Sequence, residues 1–175
     1  MNARERVGST KTRERQGSLA TFTALGAALS STCSTSRVAG EVVPHQDSTF
    51  LYTDPPTCVG AWFALEDATL QNGCLWIQPG SHTRGVARRM KLTAERVIAF
   101  EGQLPEFDMS SFVPLEVAAG ALVLLHGAVW HMSHENTSPR SRHAYSVHFV
   151  EERTQWDDAN WLQRPTDIPF KALAL

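Results

Sequence analysis

Val59–Gln78 reads VGAWFALEDATLQNGCLWIQ: two short apolar runs, Val59–Leu65 and Cys74–Gln78, joined through Gln71-Asn72-Gly73. Apolar runs this short, bounded by turn residues, are strand signals, and Asn-Gly is the dipeptide that most easily supplies the positive φ of a tight connection. The stretch therefore predicts a hairpin-like unit, and Pro79-Gly80 marks the next turn. Working outward, Gly120 precedes the run Ala121–Leu125, Ala128–Ser133 follows, and Arg142–Val150 (RHAYSVHFV) alternates as a sheet strand does. Between these, residues from Ser81 to Pro114 read as a long irregular excursion. Many short strands without a sustained helical period predict an all-β domain, and among sandwich, barrel and jelly roll the expectation is a jelly roll.

The chain has 175 residues, 42% of them hydrophobic and 19% charged, which suits one domain with its own core. A net charge of -2, with no basic stripe interleaved with aromatics, argues against a nucleic-acid partner. Cys33, Cys58 and Cys74 form no CxxC pair, so neither a disulfide framework nor a thiolate zinc site is indicated, and a reducing compartment, the cytoplasm by default, fits. Composition breaks near Gly40: residues 1–40 hold no His, Pro, Trp or Tyr and carry six basic against two acidic side chains, whereas all seven histidines come later. We therefore expect a divergent leader, disordered or foreign to the domain, over 1–40, and the domain itself over 41–175. The mildly apolar Leu19–Leu29 superficially resembles a targeting peptide. At about half the roughly 20 apolar residues a bilayer requires, it is not a membrane span. The terminal Leu173-Ala174-Leu175 is not a peroxisomal signal.

The sharpest chemical feature is His45-Gln46-Asp47. Residues two apart on an extended chain project to one side, so this imidazole and carboxylate can grip one ion. Two histidines and one carboxylate on one face of an octahedron hold iron(II) in many oxygenases and leave three positions open, so a distal histidine is required. The run His126-Gly127-Ala128-Val129-Trp130-His131-Met132-Ser133-His134 offers two contenders. His126 and His131, five apart, would face opposite ways on a continuous strand, but Gly127 can reset the register, so spacing leaves the choice open. Among the following basic residues, Arg140 and Arg142 can each present the planar fork that binds a carboxylate. Trp62 and Ser133, judged by themselves, read as an ordinary core aromatic and strand residue, Cys58 and Cys74 as buried apolar residues, and His82, His126, His134, His143 and His148 as structural or surface residues.

Pro44-His45-Gln46-Asp47, the run Ala64–Leu75 and Pro79-Gly80-Ser81-His82 together resemble the phytanoyl-CoA dioxygenase family, and the likeness continues from about Gly40 through Asn160-Trp161-Leu162-Gln163 to Pro169-Phe170. The resemblance implies a cupin-like double-stranded β-helix with iron(II) held by His45, Asp47 and His131. It further implies 2-oxoglutarate as cosubstrate: Arg142, eleven residues beyond His131, takes its far carboxylate, Ser133 adds a hydroxyl, Trp62 walls the pocket, and Gln46 contacts the cosubstrate. The activity implied is hydroxylation of a small organic or acyl substrate with release of succinate and CO2, supported by ascorbate. Family members carry more chain before the His-x-Asp pair, including a lysine and a methionine linked to 2-oxoglutarate. The fold is accordingly expected to be incomplete at its N-terminus, and a catalytically silent fragment that binds metal or a partner protein is the alternative. A cupin-type isomerase or hydrolase ranks third, since Arg142 would then have no purpose.

Overall fold

The computed structural model describes the backbone of Phe22–Thr32 and residues 40–172 in full. The rest of the leader, Cys33 and the last three residues lie outside the described residues. The elements are almost all strands: β1 Phe22–Thr32, β2 Val42–His45, β3 Thr53–Asp54, β4 Val59–Ala64, β5 Leu75–Ile77, β6 Arg88–Leu92, β7 Ile98–Gly102, β8 Val113–Leu115, β9 Leu122–His126, β10 His131–Ser133, β11 Arg142–Glu151, β12 Gln155–Trp156 and β13 Lys171–Ala172. One sheet has the order β13-β1-β11-β4-β9 and a second the order β2-β10-β5-β8. Trp62 and Ala64 of β4, Leu125 of β9 and Ala144 of β11 meet Leu75 of β5 and Val129 in a single buried cluster. The fold is the expected all-β jelly roll, with that cluster as the filling between its sheets.

Three expectations need correction. Val59–Gln78 contains both strands, but they do not pair: β4 joins β11 and β9, whereas β5 joins β10 and β8. The intervening residues carry the chain from one sheet to the other, and Gly73, at φ 85°, turns it locally. A Cβ there would lie 2.8 Å from the His134 carbonyl oxygen, so the glycine serves a close crossing rather than a hairpin. Within the supposedly irregular Ser81–Pro114, β6 and β7 pair from Arg88↔Gly102 to Leu92↔Ile98, and β8 follows. That ribbon escapes a hydrophobic-alternation reading because β6 is basic, its guanidinium groups stacking on Phe100 (Arg88) and Tyr52 (Arg89) and its Lys91 pairing with Glu101. Finally, part of the expected leader belongs to the larger sheet, for β1 runs antiparallel to β11 from Phe22↔Glu151 to Thr32↔Arg142. Without β1 the ten residues of β11 would present an open edge on that side.

On the outer face of the larger sheet Phe63, Leu122 and Leu124 are exposed. Among the described residues no helix is long and apolar enough to cross a membrane, which says nothing of a strand-built crossing.

Candidate metal centre

β2 and β10 are neighbours, and their register places His45 directly opposite His131. Beyond His45 the chain stays extended for one residue, Gln46 (φ -118°, ψ 132°), and then enters a 3-10 turn at Asp47. Alternation therefore sends His45 and Asp47 to one side and Gln46 to the other. Nε2 of His45 lies 3.8 Å and Nε2 of His131 3.6 Å from Oδ1 of Asp47, and the ligand atoms of all three lie within 4.8 Å of one another. Each ring's Nδ1 sits against a backbone oxygen, His45 on Val43 at 2.9 Å and His131 on Val129 at 3.1 Å. A proton on each Nδ1 would leave both Nε2 lone pairs aimed at the shared point, the outer-sphere arrangement usual for metal-binding histidines.

Burial lowers the pKa of His45 and the facing His131 lowers it further, outweighing the Val43 contact and the Asp47 charge, so this ring is held neutral. For Asp47 burial works the other way, yet the His148 contact and the attraction of the neighbouring imidazoles bring its pKa below the ordinary carboxylate value. A neutral imidazole and an ionised carboxylate are the forms a cation needs.

His126 is not brought to this point. It closes β9 in the other sheet, opposite Val59, and its ring lies tilted against His82, with centroids 5.1 Å apart. The four residues between His126 and His131 do not continue one strand: a turn from Gly127 carries the chain across to β10. Gly127 donates to the Cys58 carbonyl at 2.7 Å and accepts from the Ser48 amide at 2.9 Å, which ties the turn to the segment after Asp47.

The pocket beside these three side chains, His45, Asp47 and His131, about 160 Å³, is lined by Trp62, Ser133, Arg142, Ser146 and His148 among others. A water's share of liquid volume is about 30 Å³, so there is room for a small molecule. Arg142 is buried, at 2% exposure, with its guanidinium carbon 5.5 Å from the Trp62 ring centre, and burial lowers its pKa from the usual arginine value. Arg140 is exposed and lines a different hollow with Glu66 and Asp67. The Ser133 hydroxyl is buried with no hydrogen-bond partner among the described residues, as is Oδ2 of Asp47.

Gln46 departs from the expected role. Its amide nitrogen donates to the carbonyls of Gly85 (2.9 Å) and Ala128 (2.6 Å) and its oxygen accepts from the Ala87 amide (2.9 Å), so it knits three backbone segments together behind His45 and Asp47 and is not brought to the pocket. Replacing Gln46 by alanine strands three polar groups, two of them carbonyls. At about 1–3 kcal/mol for each buried group left unmet, a loss of roughly 3 kcal/mol is expected in urea unfolding, and a loss below about 0.5 kcal/mol would contradict the clamp.

His148 is the residue the sequence reading passed over, for its Nε2 stands 3.2 Å from Oδ2 of Asp47. The signal was present: 142, 144, 146 and 148 alternate along β11, and Arg142, Ser146 and His148 all face the pocket. Cys58 gives no nucleophile, since burial, with the charge of Asp47, pushes its thiol pKa up.

The phytanoyl-CoA dioxygenase (PhyH) family model matches residues 8–144. Phytanoyl-CoA dioxygenase 1 of Oryza sativa subsp. japonica is 56% identical over 128 residues, 73% of this chain and 45% of that protein. Phytanoyl-CoA dioxygenase domain-containing protein 1 of Bos taurus is 52% identical over 139 residues, 77% of this chain and 48% of that one. The chain thus spans about half the length of the curated relatives it matches. Among solved structures, the epimerase SnoN from nogalamycin biosynthesis, in complex with Fe3+, alpha ketoglutarate and nogalamycin RO, superposes with a TM-score of 0.61 at 19% identity over 78% of this chain and 52% of that one, a likeness of fold.

Proposed function

We propose that this chain, which belongs to the phytanoyl-CoA dioxygenase family, is an iron(II)- and 2-oxoglutarate-dependent dioxygenase that hydroxylates a small organic or acyl substrate. The observation that carries this reading is the convergence of His45, Asp47 and His131 on one point. Two imidazoles and a carboxylate form the facial set suited to ferrous iron, and the ionisation states favoured at His45 and Asp47 agree with it. The pocket residues fit a keto diacid as well: Arg142 places a buried guanidinium, and Ser133 a hydroxyl unmet among the described residues, in a pocket walled by Trp62.

Bound together, iron and 2-oxoglutarate would supply the oxidising chemistry, in which the keto acid and dioxygen yield succinate and CO2 while one oxygen atom enters a substrate C–H bond. The protein's own part is positional. His45, Asp47 and His131 hold the ion, Arg142 and Ser133 orient the far carboxylate, and Trp62 closes the wall. Ferrous protein with ascorbate should convert 2-oxoglutarate to succinate at a measurable uncoupled rate. Metal binding without succinate would instead support the second reading, a silent metal- or partner-binding module, which the half-length match to the curated relatives keeps in view. Replacing Arg142 by alanine should raise the 2-oxoglutarate concentration needed for half-maximal succinate formation by roughly thirtyfold or more, the equivalent of the about 2 kcal/mol lost when a buried charge pair loses one partner. An unchanged requirement would remove Arg142 from the cosubstrate site.

A further inference from the structure

The two oxygens of Asp47 have different surroundings. Oδ1 faces both ligand histidines, 3.8 Å from His45 and 3.6 Å from His131, whereas Oδ2 faces His148 at 3.2 Å. Oδ2 is buried and accepts no well-aligned hydrogen bond, so the imidazole of His148 is positioned to become its donor with a small adjustment of the ring. The sheet makes this approach possible. His148 of β11 is directly opposite Gly60 of β4, and a Cβ at Gly60 would come within 3.0 Å of Oδ2 and 3.5 Å of the His148 ring. A bare Cα at position 60 therefore opens the space through which His148 reaches the carboxylate.

We propose that His148, admitted by Gly60, is a positioning residue that engages Oδ2 of Asp47 and so restricts this carboxylate to binding the metal through Oδ1 alone. The inference rests on the oxygenase reading of the site and deepens it. Two imidazoles and one carboxylate oxygen fill three of six positions around an octahedral ion. A carboxylate free to swing both oxygens onto the metal would fill a fourth, leaving room for a chelating keto acid and nothing more. Outer-sphere partners that orient a ligand in this way typically account for about 10–100-fold in metal affinity.

The test is titration of Mn(II) and Co(II) into the full chain, read by calorimetry and by the visible absorption of bound Co(II), with circular dichroism as the check on folding. His148→Phe should weaken both metals by about 10–100-fold and alter the Co(II) spectrum. His148→Gln, whose amide nitrogen can stand where Nε2 does, should recover most of the affinity and the wild-type spectrum. Gly60→Ala, which leaves His148 in place but crowds Oδ2, should weaken binding in the same direction. The proposal is overturned if His148→Phe binds like wild type, if a folded His148→Gln is as weak as the phenylalanine variant, or if His148→Phe abolishes binding as completely as Asp47→Ala, which would make His148 a ligand. Wild-type protein that binds neither metal would sink this inference and the oxygenase reading together, whereas wild-type-like binding by His148→Phe sinks this inference alone.

Discussion

Replacing His131 by alanine should abolish saturable Fe(II) binding and reduce succinate formation to background. Of the three proposed ligands His131 is the one the chain supplies from far away, and it sits on the middle of the smaller sheet, between His45 of β2 and Ile77 of β5. Its removal leaves His45 and Asp47, a two-donor chelate on one short segment, so the loss should exceed the about 100-fold associated with outer-sphere partners. His126→Ala is the matched control. That ring lies against His82 in the other sheet, and its loss should leave metal affinity unaltered. Equal effects of the two substitutions, measured by Mn(II) titration, would mean that the histidine run acts on folding rather than on the metal.

Gly127→Ala should be among the most destabilising single substitutions in the domain. A Cβ at this position would overlap Ser48 Oγ and lie 2.7 Å from both Cβ and the carbonyl oxygen of Cys58. The serine can rotate, but the Cys58 carbonyl cannot withdraw without giving up its 2.7 Å hydrogen bond from the Gly127 amide. Backbone φ at Gly127 is not positive, so the cost is steric rather than conformational. Overpacking typically costs about 1–3 kcal/mol, and contact with fixed backbone places this case near 3 kcal/mol. Because the turn it would displace leads into His131, metal affinity should fall along with stability. Gly40→Ala, with nothing among the described residues within 4 Å of its Cβ, should be close to neutral. Chemical denaturation with an unchanged m-value is the measurement, and a Gly127→Ala midpoint equal to that of Gly40→Ala would refute the close approach.

The local part of the site was legible because it depends on backbone period alone. Residues two apart on an extended chain share a side, which suffices to pair His45 with Asp47 and would have sufficed to put His148 on the face of Arg142. The choice between His126 and His131 was not legible in that way, since it depends on where a turn interrupts the strand and which sheet receives the chain afterwards. Family likeness pointed to His131, and the cross-strand register places it, and not His126, opposite His45. Asn72-Gly73 shows the same limit from the other side: the dipeptide signalled a turn, yet which sheet β5 joins is decided by burial of Leu75 and Trp62 in one cluster, a nonlocal fact. The β6–β7 ribbon was read as irregular because its stability comes from guanidinium stacking and ion pairs rather than apolar alternation. Composition alone set the boundary at Gly40, and composition does not register that β11 has a second edge for Phe22–Thr32 to pair with.

Gln46 carries a related lesson. Its place inside the chelating triplet suggested contact with the cosubstrate, but the same alternation that unites its neighbours turns it away from them. There it fixes the carbonyl of Ala128, one residue after Gly127, and the backbone at Gly85 and Ala87. The His45–Asp47 pair and its support are thus two faces of one three-residue segment.

Calorimetric titration of 2-oxoglutarate into the wild-type chain, with and without Mn(II) as a redox-silent replacement for iron, tests the central assignment most directly. Saturable binding at one site, present only with the metal and lost in both His131→Ala and Arg142→Ala, is the result the geometry predicts. Binding of equal strength without metal, or no binding to metal-loaded protein, would contradict it.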